Sequence, residues 1–268
     1  MQHKSLTSAL LWLLILLPMV SHGHEAWLQP YEYLLKSGPT LRADIRVGQM
    51  FKGSSQIYNA DKFVILDIAR KDYRERIKGR LGDLPAITHK LQKPGLYTLG
   101  YQSSGSIISY ENWDKFVTFA TKQGLSWVLD EHRKLDFPEQ DFDETFFRYA
   151  KSLVSWQSSH GQDTRLNLPF EIVALSNPYI GRAVSIEIEL VWNGKPYANG
   201  QITAFRKPET GDAVTFNFNT DSLGRVIIPI EAGHQYLLNA VHMVATPENK
   251  DASIWQSHWA SLTFEVPQ

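Results

Sequence analysis

Histidines without any cysteine define the chemistry open to this chain, which has nine of the former and none of the latter. Lack of cysteine removes disulfides, thiolate metal sites and thiol nucleophiles together. Imidazole, carboxylate, backbone and aromatic groups remain. The sharpest local feature is His24-Glu25-Ala26-Trp27-Leu28, directly after Ser21-His22-Gly23. A cut after Gly23 would give His24 a free α-amine beside its imidazole Nδ1, two nitrogens able to close a small chelate ring. An α-amine pKa of about 7.7–8 lets a metal displace its proton near neutrality. Nitrogen donors suit Cu(II), Ni(II) and Zn(II) better than Mg or Ca. The third residue would be Ala26, so the terminal copper motif that needs a third-position His is absent. The alternative is that His24 is incidental to the cleavage site.

His242 and His258 form the second candidate. In a strand over Gln235–Val244, Leu238, Ala240, His242 and Val244 share one face. In a strand over Ser257–Val266, His258 shares a face with Ala260, Leu262, Phe264 and Val266. Both imidazoles therefore belong to apolar, core-directed faces near the same end of consecutive strands. An antiparallel hairpin around Ala245–Gln256 would set them opposite one another, with Cβ atoms about 4.5–5.5 Å apart. Two readings stay open: a metal pair needing further donors, or one buried hydrogen-bonded His with another at the rim. His132 in a charged run, His160 in a polar stretch and His234 in a turn read as satisfied or exposed side chains. Trp27, Trp255 and Trp259 flank the histidine candidates and could wall a pocket, although core packing is the commoner use of tryptophan. Asp141, Asp143 and Glu144 receive no catalytic role.

The elements that must position these residues read as mainly β. Short strands are expected at Thr40–Val47, Phe63–Ala69, Ala86–Leu91 and Leu96–Tyr101, with Pro94-Gly95 as a turn signal. Helical spacing predicts a helix over Glu111–Gln123 and a second over Asp141–Trp156, the latter through Phe142, Phe146, Tyr149, Ala150 and Leu153. The polar stretch Ser155–Leu168 reads as a linker. Seven strands then follow between Phe170 and Val266 with turns about every ten residues, the pattern of a β-sandwich. The expected fold is two β-sandwich-like domains, residues 24–164 and 165–268, joined by a short helical segment.

The 268 residues carry 27 Lys plus Arg against 28 Asp plus Glu, a net charge of −1. Such a balance lacks the basic excess that neutralising phosphates requires, which argues against a nucleic-acid partner. Residues 10–20 (LLWLLILLPMV) are apolar but too short for a membrane span. With Lys4 before them and small residues at Ser21 and Gly23, residues 1–23 have the layout of a secretory signal peptide. The expectation is an exported, periplasmic or secreted protein with no membrane span in the mature chain. A buried N-terminal helix is the competing reading. Walker, GxGxxG, HExxH, GxSxG and EF-hand motifs are absent, which points away from the compact catalytic families.

The start His24-Glu25-Ala26-Trp27-Leu28-Gln29-Pro30 resembles a family of exported bacterial proteins of unknown function. That family is related to the periplasmic substrate-specific component of nickel uptake transporters. Further matches are Tyr149–Val154, Leu168–Ile172, Asn177-Pro178-Tyr179, Gly194-Lys195-Pro196, Thr220–Arg225, Ala240–Met243 and Trp259–Phe264. The second half also looks like a prealbumin-like sandwich module. The resemblance implies a non-enzymatic periplasmic protein that captures or delivers a divalent transition metal, Ni or Co, with Cu or Zn also open. Its partner would be an inner-membrane metal transporter. His24 and His242 match the family's histidines; His258 stands where the resemblance implies a bulky apolar residue. The expected site joins His24 to His242, with His258 as a third contributor. A β-sandwich scaffold module and a histidine-brace copper oxidase are the other readings.

Overall fold

The computed structural model describes residues 24–249 and 253–268. The expected signal peptide and its cleavage bond lie outside the described residues. The first half runs β1 (Glu25–Pro30), β2 (Leu34–Leu35), β3 (Thr40–Gln49), β4 (Lys52–Gln56), β5 (Phe63–Arg70), β6 (Tyr73–Arg76), β7 (Ile87–Lys90), β8 (Gly95–Ser103) and β9 (Ser106–Tyr110). Two helices follow, α1 (Trp113–Lys122) and α2 (Trp127–Lys134). Next come β10 (Phe142–Trp156), β11 (Phe170–Ala174), β12 (Ser185–Trp192), β13 (Lys195–Pro196), β14 (Gln201–Pro208) and β15 (Val214–Asn219). The chain closes with β16 (Arg225–Pro229), β17 (His234–Ala245) and β18 (Trp255–Glu265). The protein is mainly β and sandwich-like, and among the described residues no helix is long and apolar enough to cross a membrane.

One central sheet runs through both halves, in the order β15-β14-β17-β18-β10-β8-β5-β6. The junction is β10 beside β18, a parallel pair of strands far apart in sequence. Because strand side chains alternate between faces, β10 feeds two cores. Tyr149 and Leu153 pack with β11, β12 and β16 on one side, while Ala150 and Val154 pack with β1, β3 and β7 on the other. The result is three layers. A four-stranded sheet of β1, β3, β4 and β7 and the α1–α2 pair cover one face of the central sheet, and the β11-β12-β16 sheet covers the opposite one.

The helix expected over Asp141–Trp156 is instead strand β10. Its apolar residues fall at helical spacing because both faces of the strand are buried, so no polar side breaks the pattern. Helix α1 forms as its spacing predicts: Phe116, Phe119 and Ala120 are buried, and the Asn112 side chain caps the start by accepting from the Lys115 N–H at 3.2 Å. The stretch after β10 is tied down rather than loose. Leu166 and Leu168 are buried in the core, and the His160 carbonyl accepts from the Leu96 N–H at 3.0 Å.

Candidate metal-binding histidine pair

Strands β17 and β18 pair antiparallel over their full lengths, and His242 stands directly opposite His258. The register follows from alternation: Leu238 and Ala240 on β17 and Ala260, Leu262 and Phe264 on β18 must all enter the same core. The two imidazole centroids are 6.4 Å apart with the ring planes 29° from parallel. His258 is buried and His242 half-buried.

Aromatic side chains build the walls. Trp192, at the end of β12, meets both rings edge-to-face, 4.4 Å from His242 and 4.6 Å from His258 by centroid. Phe147 stacks on His258 at 5.2 Å. The Tyr149 hydroxyl lies 2.9 Å from Nδ1 of His258, and the Tyr197 hydroxyl lies 2.9 Å from Nδ1 of His242. Among the described residues no hydrogen bond reaches Nε2 of either ring.

This environment determines the protonation state. Burial pushes both imidazoles from the ordinary 6.5 down to about 4, and the neighbouring His242 adds to the effect on His258. Both rings are neutral at pH 7. Burial also raises both tyrosines, so the phenols stay protonated. The phenol–imidazole bond survives in either neutral tautomer. When Nδ1 carries the proton and donates it to the phenol oxygen, Nε2 presents a lone pair. That is the tautomer a metal selects, with each tyrosine acting as the outer hydrogen-bond partner that orients a ligating His.

A metal–imidazole nitrogen bond of about 2.0 Å puts an ion roughly 3 Å from the ring centre. Two ligated rings then stand about 6 Å apart when their bonds oppose each other, and about 5 Å apart at a tetrahedral angle. The observed 6.4 Å is slightly wider than the opposed arrangement, so the rings would have to draw together by a few tenths of an ångström to share one ion. Two imidazoles are all that the described residues offer: no group of three or more His, Asp or Glu is placed to hold a metal. Further positions on an ion would fall to water or to an incoming ligand.

His24 does not join this pair. The hydroxyls of Ser261 and Thr263 on β18 donate to the carbonyls of Ala26 and Leu28 at 2.7 Å, so β1 docks on the face of β18 that carries the odd-numbered side chains. His258 points to the opposite face. The His24 carbonyl accepts from Nη2 of Arg148 at 3.2 Å, and Arg148 is on the side of β10 away from Tyr149. The central sheet therefore separates His24 from His242 and His258, and the single site expected to join the two ends of the chain does not form.

His132, expected to be satisfied or exposed, is satisfied and fully buried. Its Nδ1 accepts from the Trp255 indole at 3.1 Å and its Nε2 contacts the Pro138 carbonyl at 3.0 Å. It sits among Trp113, Phe116 and Phe142, a core role. Trp255 and Trp259 line that same aromatic core, not the histidine pair. Sequence reasoning missed Trp192 and Tyr197 as site residues and gave Tyr149 to a helix. The sequence signal for Tyr149 was available only once β10 is a strand, because the parallel register then puts Phe147 beside His258.

The model of a family described as a domain of unknown function (DUF4198) matches residues 21–244. No curated protein matches the chain.

Proposed function

The chain belongs to the DUF4198 family, and we propose that it is an exported protein that binds a transition-metal ion between His242 and His258. The observation that carries this reading is the opposed pair of neutral imidazoles, each anchored through Nδ1 by a tyrosine and each with Nε2 uncommitted. Neutral imidazole brings no charge into the apolar site, so the ligands are ready at pH 7 without first losing a proton. Imidazole donors accept Ni, Co, Cu or Zn. The apolar run of residues 10–20 with Ser21 and Gly23 supports export to the periplasm or beyond. The resemblance to nickel-uptake components, and to prealbumin-like modules in the second half, supports delivery to a membrane transporter, a non-enzymatic role.

Calorimetric titration of the exported protein with Ni(II), Co(II), Zn(II) and Cu ions tests this. One of them is expected to bind at one ion per chain. His242→Ala and His258→Ala should each weaken it more than tenfold, about 1.4 kcal/mol or more. Unchanged affinity in both variants would remove the pair as the site and leave the scaffold reading.

A further inference from the structure

A second site lies across the central sheet from the histidine pair. A cleft of about 390 Å³ opens between β1–β3 and β5–β8, within the size range of small-ligand pockets. Ile45, Val47 and Phe63 give it an apolar floor, and Arg148, Lys62, Tyr101 and Ser106 also line it. Among the described residues no aspartate or glutamate lines it.

Arg148 is the unusual member. It is half-buried, and its Nε is sealed from solvent without a hydrogen-bond partner. Nη2 is used on the His24 carbonyl at 3.2 Å, and the guanidinium lies 4.6 Å over the Phe146 ring. Among the described residues it has no carboxylate within ion-pair distance. The carboxylate whose charge it feels is Glu25. Glu25 is adjacent to Ala26 on β1, so its side chain leaves from the other face of that strand, where Lys122 stands 3.8 Å away. A guanidinium withdrawn from water without a paired anion is costly to keep. The cleft holds further donors that the described residues leave unused: no hydrogen bond or ion pair engages the Lys62 ammonium or the Tyr101 and Ser106 hydroxyls.

We propose that this cleft binds a small organic carboxylate with an apolar body. Its carboxylate lies against Arg148, within reach of Lys62 and the Tyr101 hydroxyl, and its apolar part lies on Ile45, Val47 and Phe63. The two terminal nitrogens of the guanidinium can meet a carboxylate's two oxygens end-on while Nη2 keeps its other hydrogen on the His24 carbonyl. The apolar floor favours a carbon body over free phosphate, which has none to bury. The site is independent of the histidine pair, because the central sheet stands between them.

The probes are 3-phenylpropionate and inorganic phosphate, titrated into the exported protein by calorimetry and by backbone-amide NMR. Expected is saturable binding of 3-phenylpropionate, with shift changes at Ser103–Ser106 and at Ile45–Val47. Arg148→Met should weaken it at least about tenfold. Lys62→Met, an exposed change that leaves the fold intact, should weaken it severalfold. Metal binding at the histidine pair should be the same in all three proteins, so failure of either site is read separately. Binding of phosphate but not of 3-phenylpropionate would overturn the proposal, as would no binding of either probe. So would carboxylate affinity that survives Lys62→Met with shifts elsewhere in the chain.

Discussion

At the scale of single residues, two buried titrating sites pull stability in opposite directions with pH. His242 and His258 are held near 4 in the fold against 6.5 when unfolded. The unfolded chain thus binds protons first as pH falls. Their contribution is full above about 6.5 and is lost as pH drops through about 4. His258→Phe keeps the stack on Phe147 but cannot titrate, so the fall in Tm between pH 6.5 and 4 should shrink in that variant. Glu144 behaves oppositely. It is buried, accepts from the Tyr110 hydroxyl at 3.0 Å and from Ser257, and burial raises it from 4.5 to about 7. A raised carboxyl stabilises most below its unfolded pKa, and that contribution is lost as pH rises through 7. Glu144→Gln should therefore raise Tm at pH 8 and change it little at pH 5; thermal melts at the two pH values measure this.

At the scale of elements, a buried ion triad fastens β10 and β11 to the stretch between them. The Lys151 ammonium lies 2.7 Å from Asp163 and 2.9 Å from Glu171, and all three side chains are almost completely buried. Remaining acceptor capacity is satisfied: Asp163 takes the Thr98 hydroxyl and the Ala174 N–H, and Glu171 takes the N–H groups of Leu166 and Leu168. Lys151→Met would leave two buried carboxylates facing each other. The expected loss is about 3–5 kcal/mol in denaturant unfolding. A smaller loss would mean that water enters the site and rescreens the pair. The triad also explains why a polar stretch that reads as a linker is pinned: its one aspartate is an internal partner of β10.

At the scale of the whole molecule, the central sheet makes the two halves interdependent. Strand β18 pairs β17 on one edge and β10 on the other. Its Ser261 and Thr263 hold β1 from the first half. Residues 165–268 expressed alone would expose the β18 edge and the face that β1 and the helices cover. That fragment should fail to show cooperative unfolding by calorimetry, whereas the chain from His24 should melt in a single transition. Period-2 alternation in Gln235–Val244 and Ser257–Val266 was enough to read the final hairpin, and with it the meeting of His242 and His258, because a strand with one polar-free face has only one register that buries it. The mainly-β class was legible for the same reason. Strand β10 was not, since burial on both faces erases the alternation that distinguishes strand from helix. Nor could His24 be assigned to a face of the sheet from local pattern. Which face β1 covers depends on Ser261, Thr263 and Arg148, contacts that join residues more than a hundred positions apart and exist only once the three layers have assembled.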